Sequence, residues 1–440
     1  MKKIERNLRS KIDGLNMEYE KGPKNVEAFK VLELETVMPK NNRSCFYIRG
    51  ARLRQVLRQM VDELCERKKI NRHKLCKEIT HELKCDETTI EKFIYKKDYF
   101  PIYLTRILLE KLPKYRRHSY SEKIQKETEL FKFGTSEKWA KFPKKLNGKI
   151  AWLCGAIAAD GWLAKEKGGK ERLGIIDQNI CELKLARKKF EETFGIKVPI
   201  NKSKTLDCYL LIVDCKAVSK FFTTFLGFKY GRKIETISEP TIIKKSSHRL
   251  EFAKGVLSFD GSVELDCTVS IGLKNKKLVQ DIYGILRENE FDFKYSRPNS
   301  DFFFIRSPGL SECKNNKAWI SLFGINSTKG DRLNFLINGS GKKVRSEEEA
   351  IRDLEKFVRR KPTSKVSIVD IFNFAKENKK FTKHQMMKRF NIAYATFWKY
   401  ALILRRANIL SSEEKTGRGI QNNYVFNPNI EEWRIPTMAS

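Results

Sequence analysis

The nonapeptide Leu153-Cys154-Gly155-Ala156-Ile157-Ala158-Ala159-Asp160-Gly161 has a counterpart one hundred positions on, Ala253-Lys254-Gly255-Val256-Leu257-Ser258-Phe259-Asp260-Gly261. Both carry G-x-x-x-x-D-G inside an apolar run. A repeated unit constrains a fold more tightly than any local propensity, because both copies must fold alike. The flanks repeat as well. After Asp160-Gly161 come a strand-like arm (Leu173 to Ile176), a helical stretch (Glu182 to Phe194) and a strand (Tyr209 to Val213). After Asp260-Gly261 come a strand over Val263 to Leu273, a helix over Lys277 to Glu290, and strands at Phe302 to Ile305 and Trp319 to Phe323. Each half reads αββαββα, an α+β arrangement, with the halves at about 146–245 and 246–341.

Small residues on one stripe of each apolar run (Gly155, Ala159, Gly255, Ser258) let two helices lie side by side. Each helix is expected to stop at Asp-Gly, with the glycine in the left-handed conformation. Asp160 and Asp260 then emerge together at the foot of the pair. Two carboxylates so close repel, and a hard divalent cation with oxygen ligands, Mg²⁺ first and Mn²⁺ as a substitute, relieves the repulsion. Beside a phosphodiester such an ion polarises the phosphoryl oxygen and generates hydroxide. The second strand alternates Ser262, Glu264, Asp266, Thr268 and Ser270 with Val263, Leu265, Cys267, Val269 and Ile271, a half-buried strand with one polar face.

The chain has 89 Lys and Arg against 54 Asp and Glu, a net charge of +35. That excess of one sign points to a polyanion, and first to nucleic acid. With 40% hydrophobic and 11% aromatic residues the 440-residue chain can build packed cores, about three domains at ordinary domain size. No run of about 20 apolar residues suggests a membrane span. The amino terminus, Met1-Lys2-Lys3-Ile4-Glu5-Arg6, is charged where a secretory segment would be apolar. The expectation is a soluble, cytoplasmic, nucleoid-associated protein. The ten cysteines are scattered, with no C-x-x-C pair, and read as core residues. Cys76, His81 and Cys85 are loosely metal-like, but structural zinc wants four closely spaced ligands.

Both ends add basic helical patterns. After a charged segment (1–45), helical spacing runs over Ala51 to Lys68, Asn71 to Lys84 and, behind Asp86 as N-cap, Glu87 to Ile94. This stretch (46–113) resembles a helix-turn-helix, with Thr88 and Thr89 opening its second helix towards DNA. Residues 114–145 read as a basic linker. At the other end (363–432), helices over Ile368 to Asn378, Phe381 to Phe390 with Thr382 as cap, and Ile392 to Ile409 precede a glycine-bearing basic hairpin and the strand Tyr424-Val425-Phe426. The pattern resembles a winged helix. Its third helix, with Lys399, would enter the major groove, and Lys415 and Arg418 in the wing would meet phosphate; a protein-binding module is the competing reading.

The two nonapeptides and their flanks resemble a monomeric, two-repeat LAGLIDADG (DOD-type) homing endonuclease, over roughly Leu146 to Gly341. The match departs from the family pattern at Ala158 and Ser258, where the first acidic position would stand, and at Cys154 and Lys254. The resemblance implies a metal-dependent, site-specific endonuclease that cuts double-stranded DNA at a long asymmetric target. It implies that Asp160 and Asp260 hold the metals. It places catalytic lysines at Lys233 and Lys329 and a water-positioning group at Gln178, opposite Leu273 in the second half. It lays the polar strand face in the major groove, where Glu264 and Asp266 accept from cytosine and Ser262, Thr268 and Ser270 serve other bases. The alternatives in the family are a DNA-binding regulator without cleavage and an RNA maturase. Protein splicing is not expected, since the chain opens with Met1 and ends Thr437-Met438-Ala439-Ser440.

Overall fold

The computed structural model describes residues 29–34, 45–83, 87–134, 138–165, 171–231, 237–296, 302–308, 319–323, 327–358, 366–413 and 423–436. Asp86, Cys85, Lys233, Lys415 and Arg418 lie outside the described residues, as does the charged segment 1–28. The chain divides into two compact units, residues 1–176 with 186–252, and residues 177–185 with 253–440. No described helix is long and apolar enough to cross a membrane.

In the first unit, the helix Leu53–Lys68 buries Leu53, Val56, Leu57, Met60, Val61 and Leu64, one stripe at helical spacing. The helix Arg72–Leu83 buries Leu75, Cys76 and Ile79, so Cys76 is a core residue. The next helix, Glu87–Glu91, runs five residues before widening into a π-turn, Lys92–Lys96, with Thr88 exposed and Thr89 half-buried. A four-stranded sheet follows, in the order β2-β1-β3-β4, from β1 (Phe46–Arg49), β2 (Tyr99–Pro101), β3 (Leu130–Phe133) and β4 (Ala140–Lys141). The stretch read as a linker is therefore folded. Its lysines mask interleaved apolar residues. Lys114–Glu127 is a helix that buries Tyr120 and Ile124, and Phe131 and Phe142 join Phe221 with ring centroids 6.3 and 6.4 Å apart. Arg116 and Tyr120 also hold Glu63, at 2.6 and 2.9 Å, and the Arg116 hydrogen bonds bring its carboxyl down to about 2.

The first motif helix, Gly148–Asp160, is capped by the Asn147 side chain on the Ile150 amide and is buried from Ile150 through Ala159. A helix apolar all round must be enclosed all round. The sheet β5-β6-β8-β7 follows, from β5 (Gly161–Lys165), β6 (Glu171–Asp177), β7 (Ile200–Lys202) and β8 (Tyr209–Val213), with the helix Ile180–Phe194 between its two strand pairs and Lys216–Leu226 after them.

The second motif helix, Arg249–Asp260, leads into β9 (Gly261–Val263), β10 (Val269–Leu273), the helix Lys276–Glu288, β11 (Lys294–Ser296) and β12 (Phe303–Arg306), and the sheet order is again β9-β10-β12-β11. Two expectations change here. The single strand over Val263 to Leu273 is a hairpin. Cys267 takes φ +65°, the Glu264 amide donates to the Thr268 carbonyl at 2.8 Å, and the Asp266 carboxylate accepts from the Thr268 amide at 3.2 Å. A short carboxylate that bonds the backbone two residues on favours such a turn over an extended strand. Trp319 to Phe323 is a helical turn, with the Leu322 amide donating to the Trp319 carbonyl at 3.2 Å. Its apolar run lacks a period of two, and Trp319 packs on Phe291 and Phe293 at 5.5 and 5.2 Å.

The tail belongs to the same unit as the second motif. Its helices Ile368–Asn378, Lys383–Phe390 and Tyr394–Arg406 follow one another, the first two set by capping boxes at Ser367/Asp370 and Thr382/Gln385. They accompany a sheet in the order β14-β16-β15, from β14 (Lys380–Thr382), β15 (Leu410–Glu413) and β16 (Asn423–Phe426). The helix Thr328–Asn338 packs against Tyr394–Arg406, and β13 (Lys342–Lys343) pairs with β17 (Arg434–Ile435). Gly339 ends the first of these helices at φ +69°, where a Cβ would meet the Arg406 carbonyl at 2.9 Å. The tail is thus fastened at several points.

Candidate functional site

Asp160 and Asp260 each close a motif helix, and each is half-buried. The glycines behind them are not left-handed. Gly161 is extended at φ −80°, ψ 164°, and Gly261 is already the first residue of β9. Their lack of a side chain serves a close approach. A Cβ on Gly161 would lie 2.4 Å from the Ile157 Cα, and one on Gly261 would lie 2.4 Å from the Leu257 oxygen. The chain turns straight from helix to strand over the last helical turn, and only glycine leaves room for it. Each aspartate therefore stands at a rigid helix–strand corner.

Lys329 comes to the second corner. Its ammonium donates to the Ser258 and Phe259 carbonyls at 2.7 and 2.6 Å, with Leu257 at 3.4 Å. These are the open carbonyls of the motif helix, the last of them adjacent to Asp260. A cation there is favoured by the helix dipole and sets a positive charge on the carbonyls just before Asp260.

A buried carboxylate holds the two residues that precede Lys329. Glu182, wholly buried, accepts through Oε1 from the Ser327 hydroxyl at 2.8 Å and from the Thr328 amide at 3.2 Å. Burial pushes its carboxyl up to about 7, against the opposing pull of Ser327 and Lys329, and Asp177 adds to the rise. Gln178 stands exposed at the end of β6, four residues before Glu182. The second unit thus brings the Asp260 corner, Lys329 and the segment carrying Gln178 into one neighbourhood.

The polar strand face is only partly as expected. Ser262 and Ser270 are cross-strand partners with their hydroxyls 2.8 Å apart, and Glu264 reaches Ser262 at 3.5 Å. Thr268 is buried, and Asp266 turns inward. The Asp266 carboxylate lies 3.6 Å from Arg306 and 3.7 Å from Lys399 of the tail. Burial raises its carboxyl, but the Thr268 hydroxyl and amide together with both cations outweigh that and hold it below the usual range. Two residues expected to meet DNA separately, Asp266 and Lys399, are therefore paired with each other. The register extends the exposed row instead through Ser270 to Arg306 on β12 and Lys294 on β11.

No protein-family model matches the chain. Among solved structures, mesophilic variants of the homing endonuclease I-DmoI match at 20% identity and a TM-score of 0.31, over 40% of this chain and 93% of theirs. The homing endonuclease I-WcaI bound to its DNA recognition sequence matches at 14% identity and 0.29, over 40% of this chain and 80% of its own. A mutant of I-SmaMI matches at 12% and 0.30, over 43% and 88%. Scores of this size describe a partial likeness.

Sequence reasoning missed Glu182, Arg306 and Lys294. Glu182 carried a signal, because it shares the stripe of Ala186, Phe190 and Phe194, all fully buried. Arg306 and Lys294 could not be found without the register, since β11 was not expected.

Proposed function

We propose that the chain is a metal-dependent DNA endonuclease of the LAGLIDADG kind, with Asp160 and Asp260 as metal ligands. The observation that carries this reading is the pair of matched corners, where a buried helix delivers one aspartate to the edge of an antiparallel sheet. The Lys329 ammonium fixed at the second corner supports it. Among the described residues no three His, Cys, Asp or Glu side chains gather to cage a metal. The donor set still fits Mg²⁺, which binds through one or two carboxylates and completes its shell with water and substrate phosphate. When bound, such an ion would polarise the phosphoryl oxygen and lower the pKa of its water. The chain's own residues do the rest. Asp160 and Asp260 hold negative charge at fixed points, Lys329 offsets the charge that builds on phosphate, and Gln178 orients water.

Double-stranded DNA is the partner in this reading. The +35 charge supplies sequence-independent affinity, and the row Ser262, Ser270, Arg306 and Lys294 faces the groove. Asp266 and Lys399 join the tail to that sheet, so the tail lengthens one footprint. Lys233 keeps its proposed catalytic role, Lys415 and Arg418 their proposed phosphate contacts, and Thr88 and Thr89 their proposed contact with DNA. The experiment is incubation with a randomised plasmid library and Mg²⁺, with new ends sequenced. Recurrent ends bearing four-nucleotide 3′ overhangs support the endonuclease. A specific site that is bound but never nicked, with Mg²⁺ or Mn²⁺, replaces it with a DNA-binding regulator.

A further inference from the structure

We propose that Glu182 is a positioning residue for the second corner: it holds the first turn of the helix Thr328–Asn338 so that the Lys329 ammonium stays on the carbonyls preceding Asp260. The catalytic consequence rests on the endonuclease reading, and the placement of Lys329 does not.

Ser327, the N-cap of that helix, is held from two directions. Its hydroxyl donates to Glu182 and accepts from the Gly330 amide at 3.3 Å. The Thr328 amide, one of the open donors of the first turn, is also taken by Glu182. Lys329 is the next residue, so two hydrogen bonds from one carboxylate fix the backbone from which its side chain starts. Glu182 is wholly buried, as are Leu183 and Ala186 of the same helix, Ile180–Phe194. A buried carboxylate is a poor choice for stability alone. Its Oε2 has no hydrogen-bond partner among the described residues, and desolvating a carboxylate is costly. The matching third position of the helix Lys276–Glu288 holds Leu278, also buried, so this place in the fold accepts an apolar side chain. Two features set Glu182 apart from such a packing residue: it takes the Ser327 hydroxyl and it takes the Thr328 amide.

The test uses the full chain without metal. Surface lysines are acylated under limiting reagent, and the rate at each lysine is read by mass spectrometry. Glu182→Leu should raise acylation of Lys329 about fivefold and leave the other lysines unchanged, as local release predicts. Glu182→Gln keeps an acceptor for Ser327 and Thr328 and should restore most of the protection. Equal protection of Lys329 in a folded Glu182→Leu chain would overturn the proposal. If that variant does not fold, Ser327→Ala decides. It should raise Lys329 acylation about twofold, and an unchanged rate overturns the proposal. A strand-resolved cleavage assay supplies the second arm. Glu182→Leu should slow nicking of one strand by about a hundredfold and leave the other within about twofold. Equal slowing of both strands counts against positioning. A wild-type chain that nicks nothing overturns the endonuclease reading, and the acylation result still decides where Glu182 holds Lys329.

Discussion

The two sheets that follow the motif helices share a strand order and differ on their open faces. In β5-β6-β8-β7 the inner residues Leu163, Leu173 and Ile175 are buried, and the open face carries Trp162 over Gly174 and Ala164 opposite Arg172. In β9-β10-β12-β11 the inner residues are Val263, Val269, Ile271 and Ile305, and the open face carries Ser262, Ser270, Arg306 and Lys294. Both sheets lay an aromatic ring over a glycine of the second strand, Trp162 over Gly174 and Phe304 over Gly272. The scaffold depends on inner apolar residues and on that glycine, and the outer face is free to diverge. In the endonuclease reading proposed above, divergence of that kind suits an asymmetric target, one sheet offering polar and basic groups, the other mostly apolar ones.

The largest effect should come from the aspartates. Asp260→Asn is expected to reduce cleavage of one strand at least about a hundredfold and Asp160→Asn to do so for the other, with DNA affinity within a few fold. End-labelling both strands reads this. If either single variant abolishes cleavage of both strands equally, the corners do not act one per strand.

Glu182 against Leu278 gives the next contrast. The Glu182 carboxyl sits near 7 in the folded chain and at the usual value, about 4.3, when unfolded. A raised value means its stabilising contribution is complete below that unfolded value and is lost as the pH rises through 7. Between pH 5 and 8 this amounts to about 2–3 kcal/mol. Glu182→Gln should flatten that slope and be the more stable protein at pH 8. Urea unfolding at the two pH values measures it, and parallel slopes in the two proteins would mean that the carboxyl is not raised by burial.

The glycines come third. Alanine at Gly272 would place a Cβ 2.2 Å from the Phe304 ring, and at Gly174 2.5 Å from the Trp162 ring. Each should cost about 1–3 kcal/mol in urea midpoint experiments. A loss below about 0.5 kcal/mol in one sheet only would show that its ring is not fixed, and the likeness between the sheets would end there.

The smallest effect concerns binding. Arg306→Ala should lower the log–log salt slope of DNA binding by about 0.9, one phosphate contact, and Arg172→Ala by less. Equal losses would mean that both open faces meet the backbone alike.

Much of this was legible from residues alone. Helical spacing located Leu53–Lys68, and the tail helix Ile368–Asn378 was read to the residue. Thr382 was legible as a cap because its partner Gln385 stands three residues on. The linker was not legible, since its dense lysines and arginines hide the few apolar positions, Tyr120, Ile124 and Phe131, that pack it. The hairpin was not legible either, because its alternation of polar and apolar residues continues through the turn. The decisive angle belongs to Cys267, a residue type that rarely takes positive φ. Both aspartates and Lys329 were named before the fold was known, the aspartates from the repeat and Lys329 from the family resemblance, and the fold sets the Lys329 ammonium on the carbonyls preceding Asp260. The protein partners of Asp266 were not legible, because only folding sets Arg306 and Lys399 beside it.

The sequence by itself determined the repeated unit, the positions of the two aspartates and the order of most helices, because periodicity and capping act within a few residues. Tertiary structure decided what joins residues far apart in the chain. It set the Lys329 ammonium on carbonyls some seventy residues away, buried Glu182 against Ser327 at a separation of 145, and turned Asp266 from the open face towards the tail. It also decided why each motif ends in glycine: a Cβ there would strike the preceding helical turn. Such contacts depend on shape and register, which no local pattern encodes.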